Sequence, residues 1–311
     1  MSQPHWGWLV AIYLFLGGMG AGSFLVAAAV EWTGERYKHP FCPTTLVGAT
    51  VSGPLIALGT VLLIFDLGAG KVEPWRIVYM FTHFSSVMTW GVWILTLFLP
   101  LCFLYGLVEL MHVYPGILAW ARKRFTFLPE DLPYRQIKRV LCPVGSVLAA
   151  GTAVYTGVLL SVVRAIPFWN TPVLPFLFLV SALSTGMGLT IDLSATIAVG
   201  PMERRFRNLP LYHMVFIGGE ALLIGLLLLL ALLQGGAAAQ SAQMILVGPM
   251  GLVFWIVVVL FGLLIPFIVH AYAYGARQHA LAGGILSGAG IVVAGLFLRY
   301  LIVAGGIPVA L

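Results

Sequence analysis

The sequence predicts an all-α integral membrane protein with eight transmembrane helices. Composition is the first observation behind this. Of 311 residues, 61% are hydrophobic and only 8% are charged, against about 45–50% and about 25% in soluble domains. A soluble chain of this length lacks the polar residues to cover so much apolar surface. A soluble enzyme, a disordered chain and a nucleic-acid binder are therefore excluded. The second observation is length. Apolar runs occupy 8–31, 45–66, 83–108, 139–163, 172–200, 211–233, 243–269 and 278–303. Each is about 20 residues or longer, enough to cross about 30 Å of hydrocarbon as a helix. Strands are excluded because no backbone group can go unpaired in lipid.

The elements follow in order. The first run has no basic segment before it and no polar cleavage segment after it, so it is not read as a removable signal peptide. The loop 66–82 is amphipathic at best. The longest loop, 109–138, holds Pro115, Pro129 and Pro133, which predicts a short surface helix and a turn. The spans divide into two four-helix bundles, 1–163 with that long cytoplasmic loop, and 164–311. The first span carries Tyr-Leu-Phe-Leu-Gly-Gly-Met-Gly-Ala-Gly (13–22) and the fifth Phe-Leu-Phe-Leu-Val-Ser-Ala-Leu-Ser-Thr-Gly (176–186). Trp8 precedes one and Trp169 the other, a faint parallel pseudo-repeat of four plus four spans. The small residues in both predict close helix packing at the centre of the bundle.

Orientation follows from lysine and arginine. Eight spans put both termini on one side, called side A. Side A carries Lys71, Arg76, Arg164 and Arg299, and the other twelve of the sixteen basic residues fall on side B. Basic loops stay in the cytoplasm, so side B is expected to be cytoplasmic and both termini outside. The formal net charge of +6 sits in these loops and is no nucleic-acid signal. Trp6, Trp8, Trp75, Trp90, Trp93 and Trp169 lie toward side A, while Trp32 and Trp120 lie toward side B. An interfacial aromatic belt accounts for such residues, as does a partner surface or the walls of a flat aromatic ligand site.

Ionisable residues inside spans are costly and mark candidate sites. Toward side A, His5, Asp66, His83, Tyr155 and Arg164 fall at one depth near the ends of the first four spans, beside Trp8. Taken singly, each also reads as an interfacial or snorkelling side chain. Together they supply what a quinone needs: hydrogen-bond donors at its carbonyls, a proton acceptor and aromatic walls. A second set lies nearer side B. Asp192 is in the fifth span and Glu220 in the sixth, with His213 seven residues earlier on the same face. Glu220 stands about 14 Å along its helix from the side-B end. A carboxylate there suits a proton relay or a structural hydrogen bond equally. Glu31 and Glu109 fall at side-B ends and read as boundary residues.

Metal chemistry is not expected within the sequence. Cys42, Cys102 and Cys142 form no Cys-x-x-Cys pair, which excludes a cysteine-ligated iron–sulfur cluster or zinc site. His112, His213, His270 and His279 lie toward side B, but none sits well inside a helix with the small-residue pocket that haem needs.

The most informative stretch joins the fourth and fifth spans. It reads Tyr155-Thr-Gly-Val-Leu-Leu, then Arg164-Ala-Ile-Pro-Phe-Trp-Asn-Thr-Pro-Val-Leu-Pro175, then the Phe-Leu-Phe-Leu run to Gly186. With Trp6-Gly-Trp8 and the 13–22 segment, it resembles the NrfD/PsrC family, membrane subunits of polysulfide-reductase-type respiratory complexes of the prokaryotic inner membrane. The resemblance implies a subunit that is not catalytic alone on a soluble substrate. Such subunits exchange electrons between menaquinone or ubiquinone and a ferredoxin-like [4Fe–4S] subunit docked on the outer, periplasmic face. That partner in turn serves a molybdopterin enzyme or a multihaem cytochrome, and no haem is implied in this subunit. The resemblance implies a quinone contact for Tyr155 and a nearby acidic residue, matched by Asp66. The family's Asn and His within the first span have no counterpart, since His5 stands ahead of it. Proton translocation and the direction of electron flow are left open. The competing class is a secondary transporter, favoured by the weak repeat and the intramembrane carboxylates and opposed by their lying at two depths.

Overall fold

A computed structural model describes residues 7–33, 43–66, 78–124, 133–197, 209–276 and 281–309. In sequence order the helices are α1 (Trp8–Trp32), α2 (Pro43–Asp66), the single turn α3 (Tyr79–Thr82), α4 (Val87–Val113), α5 (Pro115–Arg124), α6 (Tyr134–Ser161), α7 (Val173–Ile197), α8 (Leu209–Gln234) and α9 (Gly236–Leu246). A continuous rod follows, made of α10 (Gly251–Val253), a π-helical stretch (Phe254–Leu264) and α11 (Ile265–Ala276), and then α12 (Leu281–Ala304). Among the described residues there is no strand, and eight helices, the rod counted as one, are long and apolar enough to cross a bilayer. The predicted fold class is the one observed.

α1 sits at the centre, packed against α2, α6, α7 and α12, and is the most enclosed of the spans. Its small residues explain why. Lipid tails are as apolar as leucine, so helices in a membrane associate through close packing and hydrogen bonds. A methyl group built on Gly22 would fall on the Ala182 carbonyl of α7, and one on Gly186 would fall on the backbone of Gly22. The two stretches that look alike in the sequence thus pack on each other, backbone to backbone.

Several boundaries differ from the sequence reading, each for a physical reason. α4 runs on to Val113 and α6 starts at Tyr134, so the loop between them is shorter than 109–138. Glu109 and Lys138 form a buried ion pair between these helices, with Glu31 and Tyr105 beside it. These charges are paired inside the bundle rather than marking its edge. The expected surface helix is α5, which ends in Arg122, Lys123 and Arg124. The run 243–269 divides into the end of α9 and the start of the rod, separated by a turn at 247–250. Gly235 and Gly236, at φ +74° and +55°, reverse the backbone after α8 in a conformation few other residues tolerate. Arg299, counted among the side-A basic residues, is fully buried within α12.

One end of the bundle is tied together by the turn 162–172, α9 and the C-terminal tail. Trp169 Nε1 donates to the Ile302 carbonyl at 2.7 Å, Ser241 Oγ accepts from Ile307 N at 3.0 Å, and Val309 N donates to the Ala165 carbonyl at 2.9 Å. Trp169 is fully buried, a structural strut rather than part of a belt. Trp90 and Trp93 remain exposed, their ring nitrogens donating to the carbonyls of Phe84 and Phe81.

Candidate functional site

A small cleft opens between α1, α2, α4 and α6. Tyr13, Leu14 and Gly17 line it from α1, Ile56, Gly59, Thr60 and Leu63 from α2, Leu95 from α4, and Thr152, Tyr155, Thr156 and Leu159 from α6. The 3.6-residue period explains the register: Thr152, Tyr155, Thr156 and Leu159 recur at three- and four-residue steps on one face. The three threonine hydroxyls are occupied within their own helices, donating to the carbonyls of Ile56, Leu148 and Ala153. Neither tyrosine hydroxyl has a hydrogen-bond partner among the described residues. Both rings are largely buried, and both hydroxyls keep free hydrogen-bonding capacity at the cleft. Asp66 is exposed at the end of α2, three residues beyond Leu63, and interacts electrostatically with Tyr13, as does Tyr155. The cleft measures about 30 Å³, room for roughly two water molecules.

The other candidates near side A lie elsewhere. Trp8 stacks on Tyr300 of α12 at 3.8 Å and meets Phe297 edge-on at 5.4 Å, so it braces α1 against the last span. His83 is exposed after α3, its Nδ1 3.2 Å from the Tyr79 carbonyl. Arg164 is exposed in the 162–172 turn. None of the three is among the residues lining the cleft. His5 lies outside the described residues.

The second set forms a polar line between α7, α8, α11 and α12. His213 Nε2 lies 3.1 Å from the Ser184 carbonyl, and its ring lies 4.4 Å from that of His270. Glu220 stands beside Ser181 and Ser184 and faces Arg299 electrostatically. Arg299 Nη1 donates to Ser181 Oγ and to the Gly295 carbonyl, both at 3.0 Å. Its guanidinium rests 5.1 Å from the Phe178 ring and 5.5 Å from the Phe15 ring. Asp192 stands apart from this line, its carboxylate filling the space that a side chain at Gly288 of α12 would take.

The profile of the family described as polysulphide reductase, NrfD, matches residues 1–310. The protein belongs to this family. The C subunit of polysulfide reductase from Wolinella succinogenes is similar to this NrfD-family protein, at 33% identity over 97% of it and 94% of the relative. Protein NrfD of Escherichia coli is 29% identical over 97% and 94%, and the NrfD homolog of Haemophilus influenzae 27% over 86% and 83%.

Two residues of this NrfD-family protein escape a reading of the sequence. Tyr13 shows there only as part of an apolar motif, although a phenol at that position stands about as far from side A as Tyr155 does. Arg299 falls inside the last apolar run, 278–303. A cation within a span calls for polar company, which Ser181 and the Gly295 carbonyl supply directly and Glu220 supplies electrostatically.

Proposed function

We propose that this protein is the quinone-exchanging membrane subunit of a respiratory oxidoreductase. The observation that carries the reading is the pair of unpartnered hydroxyls, Tyr13 and Tyr155, which line one cleft from different helices, with the Asp66 carboxylate acting electrostatically on Tyr13. Quinone carbonyls are acceptors, and a hydroxyl that holds them stabilises the negative charge that develops during reduction. Oxidation of a quinol releases two electrons and two protons. The electrons pass to a docked ferredoxin-like [4Fe–4S] subunit, and Asp66 accepts protons because it borders water. Quinone reduction runs the same steps backwards. The relatives' names support the reading, since a subunit lettered C works alongside others. A molybdopterin enzyme or a multihaem cytochrome completes the set, with menaquinone or ubiquinone as the membrane substrate.

Tyr155→Phe keeps the ring and removes only the hydroxyl. In the assembled complex it is expected to cut quinone-linked turnover by roughly tenfold or more, each factor of ten being about 1.4 kcal/mol. Electron transfer from an artificial soluble donor to the partner subunits should survive. Wild-type turnover with a native quinone would remove Tyr155 from the site.

The same reading puts side A, and the docked partner, outside the inner membrane. With Arg299 and Lys138 both buried within helices, the remaining basic residues still divide unevenly, Lys71, Arg76 and Arg164 standing against eleven. A phosphatase fused after Leu311 is expected to be active in the periplasm, and activity confined to the cytoplasm would reverse the orientation.

A second role is favoured by the polar line His270, His213, Ser184, Glu220 and Arg299, which is suited to carrying protons from side B toward the bundle interior. Glu220→Gln is then expected to abolish proton movement linked to turnover while quinone chemistry remains measurable. If pH-electrode traces match the wild type, the line is structural. A transporter needs one midplane site, and the polar groups here occupy two separate places.

A further inference from the structure

We infer that Gly91 is a positioning residue for the Tyr155 hydroxyl, an inference that rests on the assignment of Tyr155 to the quinone cleft. Gly91 is buried in α4, one turn before Leu95, which lines the cleft. A methyl group built on Gly91 would fall on Cζ, Cε1 and the hydroxyl oxygen of Tyr155. The reactive tip of the phenol therefore lies where any side chain at position 91 would stand. The backbone of α4 forms a wall behind the ring, and the hydroxyl is held at the cleft because it has nowhere to retreat.

The contact has a counterpart one turn along. Gly151 of α6 faces Ile94 of α4, whose Cδ1 and Cγ2 would lie 3.8 Å from a methyl group at Gly151. Each helix thus offers a glycine to a large side chain of the other. The two are not equivalent, however. A methyl group at 151 meets Ile94 at ordinary van der Waals distance, whereas one at 91 cannot coexist with the Tyr155 ring where it stands. Glycine within a helix costs about 1 kcal/mol relative to alanine, and at 91 the close approach of the ring is what requires it. Gly151 supplies the control: the same helix pair, the same chemical change and no displaced ring.

The test uses the assembled complex in membranes. One measurement is quinone-linked turnover, resolved into kcat and KM with a short-tailed quinol analogue. The other is direct binding of a fluorescent 4-hydroxyquinoline N-oxide, a quinol mimic whose emission is quenched in the site. Gly91→Ala is expected to weaken binding and raise KM by about tenfold, to the level of Tyr155→Phe. Gly151→Ala should change neither by more than about twofold. In a Tyr155→Ala background, where the ring is gone, Gly91→Ala should weaken binding no further. If Gly91→Ala matches the wild type while Tyr155→Phe is impaired, the positioning role fails and the tyrosine assignment stands. If Gly91→Ala has the same effect with and without the ring, it acts through general packing and the inference fails. If both Tyr155 variants match the wild type, the assignment itself falls, and the positioning role with it. Should Gly91→Ala not assemble, the Gly91→Ala/Tyr155→Ala double variant decides. Restored assembly supports the ring contact, and continued failure overturns it.

Discussion

Arg299→Met is expected to destabilise the folded protein by several kcal/mol. Removing the guanidinium takes away its hydrogen bonds to Ser181 Oγ and the Gly295 carbonyl, each worth about 1.5–3 kcal/mol when one partner is charged, along with the positive charge that faces Glu220. Here the abandoned groups are Glu220 and Ser181, which the guanidinium faces and binds. Methionine keeps most of the volume between Phe15 and Phe178, so the loss would be electrostatic rather than a cavity. The measurement is the thermal midpoint of the detergent-solubilised protein, read as the loss of the monodisperse peak on heating. Arg299→Met/Glu220→Gln removes both charges and is expected to recover much of that midpoint. If the single and double variants melt together, the pair does not hold α8 to α12. The double variant also separates stability from chemistry, because recovered folding without proton movement would leave the relay role intact.

The other large effect is expected at the crossing of α1 and α7. Gly22→Val should prevent assembly, since even a methyl group there overlaps the Ala182 carbonyl, and the reciprocal glycine, Gly186, already lies on the Gly22 backbone. Overpacking typically costs about 1–3 kcal/mol, and here both surfaces are backbone that cannot swing aside. α1 would have to move away from α7 along its length. Gly225→Ala in α8 is the control, with nothing within 4 Å of the added methyl group. The comparison is the amount of folded protein in the membrane fraction. Normal levels of Gly22→Val would mean that the crossing is looser than the geometry implies.

The spans are legible in the sequence because hydrocarbon thickness and backbone hydrogen bonding impose them, and apolar composition reports both. What escapes is where charges do not do what composition suggests. Glu109 and Lys138 read as edges because neither shows its partner in sequence; they stand 29 residues apart and meet only once α4 and α6 lie side by side. The end of α9 merges with the following span because Met244, Ile245 and Leu246 are apolar and only the 247–250 turn separates them. Shared depth groups Tyr155, which lines the cleft, with Asp66, three residues beyond the lining Leu63. Depth cannot tell which way a residue faces, so Trp8, at the same level, groups with them although it points to α12. Tyr13 and Gly91 have the opposite problem: each looks like ordinary span sequence until a neighbouring helix supplies the ring or the cleft beside it.

The central place of α1 has a consequence for how the protein is made. α1 packs against α12, the described span farthest from it along the chain, as well as against α7. At about 5–20 residues per second, the stretch between them takes on the order of 10–60 s to leave the ribosome. For that interval the glycine-lined grooves of α1 that will receive α7 and α12 face lipid or the translocation machinery. A nascent polypeptide released before α12 would contain α1 and most of its neighbours, yet with one side of α1 uncovered. Ribosome-stalled polypeptides of increasing length should therefore gain protease resistance around α1 in steps, the last arriving only when α12 has entered the membrane.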